Sequence, residues 1–143
     1  MEEARERAQR IQCVNNLKQL CLAARIWAGD YGGINSPDIL SMTNEMNTPK
    51  ILVCPSDEGR QVAKDWASYT SANCSYEYLA PSSTEDEPNR VLFRCPIHGT
   101  TGLVDGSVQA GGAKTHPEWF VERDAKLYFE PRTTPQSNSP ALP

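Results

Sequence analysis

The sequence predicts an α+β fold in which one long N-terminal helix packs on a small antiparallel β-sheet. Three observations predict it. Residues 2–28 contain neither proline nor glycine, short apolar segments bounded by turn residues follow, and an Asp-Gly pair at residues 105–106 signals a tight hairpin. A length of 143 residues suits one domain with a tail. We therefore expect one folded unit over residues 1–130 and a Pro-rich, disordered tail over residues 131–143.

The predicted helix covers residues 1–29 and buries one broad arc of side chains. At about 1.5 Å per residue it would extend for ~40 Å, which is longer than a domain of this size needs. Among residues 2–10, only Ala4 and Ala8 have apolar side chains. We expect this end to project from the domain. The predicted buried arc contains Cys13, Val14, Leu17, Leu20, Cys21, Ala24, Trp27 and Ala28.

Loops and antiparallel strands are expected over residues 30–130. Residues 34–50 are predicted as a loop with one short turn, and the glycines at 111–112 as a flexible link. A last hairpin is predicted from strands at residues 118–121 and 126–130, with its turn at Arg123-Asp124. Before it, strands are predicted at residues 50–54, 75–79, 90–95, 101–104 and 107–109.

Composition and motifs exclude several classes of function. The formal net charge of −4 argues against a broad phosphate-binding surface, so no nucleic-acid partner is expected. The sequence has no run of 18 apolar residues of the kind that spans a membrane. Its two histidines, His98 and His116, adjoin no nucleophile motif such as Gly-x-Ser-x-Gly. We expect no enzymatic activity and no cofactor.

The five cysteines leave several arrangements open. Cys13 and Cys21 lie on one helix, ~12 Å apart by helical rise, which excludes a bond between them. Cys54 and Cys95 each end a predicted strand and precede a proline, so a disulfide follows if those strands are neighbours. Cys74 begins another predicted strand, which could lie on the helix near Cys21. Because five is odd, at least one thiol stays free or pairs between chains, and we expect Cys13 to be the free one. Alternatively, all five thiols are reduced and buried as small apolar side chains.

A zinc site is a further alternative. Residues 54–57 and 95–98 offer two thiolates, a carboxylate and an imidazole, in Cys54, Asp57, Cys95 and His98. This set is chemically suited to zinc. The paired Cys-x-x-Cys motifs of strong structural zinc sites do not occur in the sequence.

Residues 11–24, Ile-Gln-Cys-Val-Asn-Asn-Leu-Lys-Gln-Leu-Cys-Leu-Ala-Ala, resemble the post-membrane helix of type IV pilin-like proteins. The resemblance is closer to type II secretion system protein G-like pseudopilins. In that family this stretch follows a cleaved, methylated leader, a hydrophobic helix and a charged segment. Further matches follow in the family's order at residues 27–33, 54–57, 75–78 and 98–108.

The resemblance implies a non-catalytic structural subunit of a type II secretion pseudopilus or type IV pilus-like filament. A transmembrane helix upstream of this sequence would anchor it at the periplasmic face of the inner membrane. Its partners would be other pilin-like subunits and the secretion machinery. Candidates for charge pairing between subunits are Glu3, Glu6, Arg7 and Arg10, and each exposed pair would contribute at most about 1 kcal/mol.

Departures from the family pattern accompany the resemblance. Family members often carry glycine where Cys21 stands and an apolar residue where Cys74 stands, so a second disulfide between these two would account for both changes. The calcium that major pseudopilins hold in an acidic loop is not carried over, because no matching loop is found. A rival function is a membrane-tethered module whose loops at 34–50 and 80–90 bind a sugar or an exported protein. A small zinc-binding protein is the second rival.

Overall fold

The computed structural model describes residues 2–131 and has the predicted α+β architecture. Helix α1 (Glu2–Asp30) is followed by four short antiparallel strands, β1 (Glu77–Tyr78), β2 (Val91–Arg94), β3 (Thr101–Leu103) and β4 (Val108–Gln109). A separate hairpin of β5 (Phe120–Arg123) and β6 (Lys126–Phe129) completes the sheets. The predicted tail from residue 132 onward lies outside the described residues.

Helix α1 has two different halves. With 29 residues it is ~43 Å long. Every side chain from residue 2 to residue 8 is exposed, whereas the second half buries a face on the sheet. The N–H of Gly33 donates to the carbonyl of Ala28 (2.8 Å), and Gly32 and Gly33 adopt φ of 74° and 83°. These glycines end the helix where the sequence predicts, because positive φ costs them little. The buried face consists of Cys13, Asn16, Leu17, Leu20, Cys21, Ala23, Ala24 and Ala28.

The four-stranded sheet follows chain order, β1-β2-β3-β4, with every pair antiparallel. Strand β2 is its most buried member: Val91, Leu92 and Phe93 have no exposed surface. Phe93 pairs with Tyr78 of β1 on one side and with Gly102 of β3 on the other. The hydrophobic core therefore lies between this sheet and the second half of α1.

The predicted C-terminal hairpin is present, with its turn one residue later than the predicted Arg123-Asp124. Asp124 and Ala125 connect β5 to β6 with φ of 52° and 63°, the conformation of a two-residue type I′ turn. The N–H of Phe129 donates to the carbonyl of Asn89 (2.8 Å), which attaches the hairpin to the segment before β2.

Two local predictions were wrong. Residues 50–54 form no strand, because a 3₁₀ helix occupies Pro49–Leu52. Its start is stabilised by the side chain of Thr48, which accepts from the N–H of Lys50 (3.2 Å), and by a proline in the first turn. The predicted flexible link at residues 111–113 instead enters a short helix, α3 (Gly112–Thr115).

The predicted loop at residues 34–50 contains a 3₁₀ turn (Leu40–Met42) and a short helix, α2 (Thr43–Met46). Within residues 2–131 the structure has no helix that combines the length and apolar character needed to cross a membrane.

Candidate metal centre

Three cysteines and one histidine meet beside helix α1. Cys13 lies on α1, Cys54 follows the 3₁₀ helix at Pro49–Leu52, Cys95 follows β2, and His98 lies in the next turn. One donor atom from each of the four lies within 4.8 Å of the other three. The three cysteines are fully buried. In the described part of the chain, this is the one group of three or more His, Cys, Asp or Glu side chains close enough to share a metal ion.

The chain after Cys54 and the chain after Cys95 each turn back on the cysteine sulfur. The backbone N–H of His98 donates to Cys95 Sγ (3.4 Å), and the backbone of Ser56 hydrogen-bonds to Cys54 in the same way. In both segments a proline follows the cysteine and restricts the backbone to φ near −65°. Gly99, with φ of 72°, closes the second turn through its N–H to the carbonyl of Cys95 (2.9 Å). The two Cys-Pro segments are thus similar turns that direct N–H groups at sulfur.

The ring of His98 directs Nδ1 at the sulfurs. Nδ1 lies 3.4 Å from Cys54 Sγ and 3.8 Å from Cys95 Sγ. On the other side of the ring, Nε2 lies 3.2 Å from Ser56 Oγ, and the hydroxyl of Ser56 donates to Gln9 Oε1 (3.0 Å). Because the Ser56 hydroxyl donates its hydrogen to Gln9, its oxygen serves as the acceptor for Nε2–H of His98. This tautomer leaves the lone pair of Nδ1 free to face the sulfurs.

Hydrogen bonds among the thiols separate their proton affinities. Hydrogen bonds from Cys13 and Cys54, together with backbone N–H groups, hold the pKa of Cys95 far below its usual value of 9.0. The pKa of Cys13 is raised instead, because its proton is held between Cys54 and Cys95 and the group is buried. Negative charge is therefore favoured on the sulfur of Cys95, which accepts from the backbone N–H of His98.

Asp57 lies outside this group. Its carboxylate accepts from Arg60 Nε and from the hydroxyl of Ser75 (2.9 Å). Of the zinc set predicted from sequence, the structure brings Cys54, Cys95 and His98 together, and Cys13 occupies the place expected for Asp57. The sequence placed Cys13 on the predicted buried face of α1, but we expected it to be a free thiol and not a metal ligand.

All five cysteines carry free thiols in this structure. Cys21 is fully buried against β3, where its sulfur faces Gly102. Cys74 is partly buried, and its thiol donates to the carbonyl of Tyr76 (3.2 Å). The predicted Cys54–Cys95 disulfide joins two members of the cluster, and both predicted disulfides remain predictions for an oxidised chain.

The four predicted subunit-contact residues are exposed on the first half of α1. Within residues 2–131, none of Glu3, Glu6, Arg7 and Arg10 has an ion-pair partner. The two loops predicted for the rival binding module lie side by side. Ile34 bridges to Thr84, and the N–H of Asn35 donates to the carbonyl of Ser83 (2.8 Å).

Three thiolates and an imidazole suit soft or borderline metals such as zinc, whereas magnesium, calcium and manganese prefer oxygen. Searches with this chain against protein-family models, curated proteins and solved structures found no match.

Proposed function

We propose that this chain is a non-catalytic structural subunit of a type II secretion pseudopilus or a related pilus-like filament at the periplasmic face of the inner membrane. The subunits would assemble into the filament through their N-terminal helices. Its partners are other pilin-like subunits and the secretion machinery. The resemblance of residues 11–24, and the order of the later matched segments, supply the class of filament.

The observation that carries the proposal is that the start of α1 is exposed while the rest of the helix is packed. Residues 2–8 have no buried side chain, whereas from Cys13 onward the helix buries one face against the rest of the domain. An isolated helical segment of that length is marginal in water without tertiary packing. Contacts with a neighbouring helix would stabilise it, as in a filament whose subunits bundle their N-terminal helices.

The exposed charges near the start of α1 support a role in subunit register. Glu3 and Glu6 precede Arg7 and Arg10 along the helix, and all four side chains are available for intermolecular pairs because the described residues offer them no ion pair. An exposed pair is worth at most about 1 kcal/mol, so these pairs would select the register between subunits more than they would strengthen the filament.

A photo-crosslinking experiment in the native cell envelope tests the assembly role. A photoreactive residue in place of Glu3 in the full-length gene product should produce a ladder of multimers. The double substitution Arg7→Glu and Arg10→Glu should shorten this ladder. Adding Glu3→Arg and Glu6→Arg should restore it when the photoreactive residue is moved to Gln12, because opposite charges face each other again.

The upstream gene sequence supplies an independent check. The proposal requires about 20 apolar residues behind a short basic leader, continuous with the start of α1.

The crosslinking experiment has a clear contradicting outcome. Crosslinking that gives only monomers in the native envelope, with the protein present at normal levels, would contradict the assembly role.

A further inference from the structure

We propose that Cys13, Cys54, Cys95 and His98 bind one structural zinc ion, with His98 ligating through Nδ1. The site would connect helix α1 to the two Cys-Pro turns. This inference stands on the four side chains alone and does not depend on the filament proposal.

The spacing of the donor atoms fits tetrahedral zinc. Bonds of ~2.3 Å to sulfur and ~2.0 Å to nitrogen place neighbouring ligand atoms roughly 3.5–3.8 Å apart. His98 Nδ1 already lies 3.4 Å from Cys54 Sγ and 3.8 Å from Cys95 Sγ. Since all four donor atoms lie within 4.8 Å of one another, the widest pair needs to close by no more than ~1.3 Å.

The surroundings of the ligands match those of a metal site. Outer hydrogen bonds usually fix the tautomer of a ligating histidine. Here Ser56 accepts from Nε2–H and is itself oriented by Gln9. The backbone N–H that donates to Cys95 Sγ would stabilise a bound thiolate. These outer contacts favour the ligand forms of His98 and Cys95.

Ions could reach the cluster along one side of α1. A groove of about 300 Å³ separates the first half of the helix from the turns at residues 56–58 and 97–98, and His98 contributes to its wall. The three sulfurs lie behind this histidine, out of contact with solvent. The ion would enter past the imidazole and become enclosed.

The donor set indicates a structural ion. Four protein ligands complete the tetrahedron and leave no position for a reacting water. Binding is not a redox step: each thiol that is still protonated releases its proton to solvent as its sulfur bonds to Zn²⁺, and the neutral imidazole donates a lone pair. The three thiolates and Zn²⁺ together carry one negative charge. The adjoining groove has charges of both signs, from Arg5 and Arg10 and from Glu2, Glu6 and Glu58.

The first experiment measures metal content and coordination in the full chain. The protein is refolded with a thiol reductant and one equivalent of zinc, desalted, and analysed by elemental mass spectrometry. We expect one zinc per chain. Replacement by cobalt should give the intense visible bands of a tetrahedral site and a thiolate-to-cobalt charge-transfer band.

Matched variants identify the ligands. Cys13→Ser and His98→Ala should lose stoichiometric zinc, whereas Cys21→Ser, which changes an equally buried cysteine elsewhere on α1, should keep it. Asp57→Asn should also keep it, which separates this set from one that includes the carboxylate. Ser56→Ala should weaken zinc affinity by about 10–100-fold, because it removes the acceptor that orients His98.

The cobalt spectrum of the unmodified chain decides the matter even where a ligand variant does not fold. Substoichiometric metal with no charge-transfer band would overturn the proposal. So would a Cys54–Cys95 disulfide in the protein isolated from its native compartment, or full zinc retention by a folded Cys13→Ser variant.

Discussion

The sulfur of Cys21 on α1 occupies the space beside Gly102 on β3 where a side chain would otherwise stand. A Cβ on Gly102 would overlap that sulfur and would also reach the carbonyl of Leu17 at 4.0 Å. Because Cys21 is fully buried, it has no open space in which to turn away. Helix and sheet are therefore in close contact here because a missing side chain on one element faces a small side chain on the other.

Gly102→Ala should lower the free energy of unfolding by about 1–3 kcal/mol, because the added methyl overpacks this contact. Urea denaturation measures the change. In a Cys21→Ala background the same substitution should cost less, since the overlapping sulfur is gone. Gly29→Ala is the control: no atom lies within 4 Å of its added Cβ, and alanine favours the helix. Equal costs in both backgrounds would refute the packing explanation.

Asn16 is a buried polar side chain that connects α1 to two other segments. Its Nδ2 donates to the carbonyl of Val53 (3.2 Å) and to the hydroxyl of Tyr76 (3.1 Å). Asn16→Ala should destabilise the protein by about 1–3 kcal/mol, because the carbonyl and hydroxyl lose their donor while remaining in the protein interior. Tyr76→Phe should cost less, about 1 kcal/mol, because Val53 still accepts from Asn16. Chemical denaturation of both variants gives the comparison, and a larger loss in Tyr76→Phe would contradict it.

Protonation of Glu87 in acid should lower the stability of the folded chain. The hydroxyl of Tyr128 donates to its carboxylate and Arg90 Nη1 lies 3.2 Å away, so the pKa of Glu87 is held below its ordinary value of 4.5; Lys126 adds a smaller attraction. A carboxyl whose folded-state pKa is depressed stabilises the protein above its unfolded pKa, and this contribution is lost as pH falls through the lower, folded value. Thermal melting from pH 6 downward should show a smaller decline in Glu87→Gln than in the unmodified chain. Parallel declines would disprove the linkage.

Charge changes on the first half of α1 should leave the isolated chain unaffected. Arg7 and Arg10 are exposed and have no ion-pair partner among the described residues, so Arg7→Glu with Arg10→Glu should change the free energy of unfolding by no more than about 0.5 kcal/mol. Calorimetry of the purified chain provides the measurement. A large loss would mean that these arginines stabilise the fold itself, and an assembly defect in the same variant would then have a second cause.

Ala125 adopts a backbone conformation that disfavours alanine. Its φ of 63° lies in the left-handed region, which costs a residue with a Cβ roughly 1 kcal/mol. Ala125→Gly should therefore raise the free energy of unfolding by up to about 1 kcal/mol, as measured by urea denaturation. Ala113→Gly, inside α3, serves as the control and should lower stability, since glycine is unfavourable within a helix. Destabilisation by both substitutions would show that the turn conformation does not explain the effect.

The parts of this fold that could be predicted from sequence depend on neighbouring residues. An uninterrupted amphipathic segment ended by glycines specifies α1, and Asp105-Gly106 specifies the turn between β3 and β4, because each signal involves residues a few positions apart. For the apolar run at residues 50–54, neighbouring residues did not distinguish a strand from a helix. A short run fits a strand or a helix equally well, and the cap by Thr48 decided for the 3₁₀ helix.

The candidate metal centre depends on the tertiary structure. The sequence identified Cys54, Cys95 and His98 by their chemistry and assigned Asp57 as the fourth donor. Cys54 and His98 are 44 positions apart, and only the packing of the Cys-Pro turns against α1 brings Cys13 to them while Arg60 and Ser75 hold Asp57 elsewhere. Residue type and local pattern determined which side chains can bind a metal. The long-range packing decided which four of them meet, because contacts between distant segments are set by the whole core and not by any short stretch of sequence.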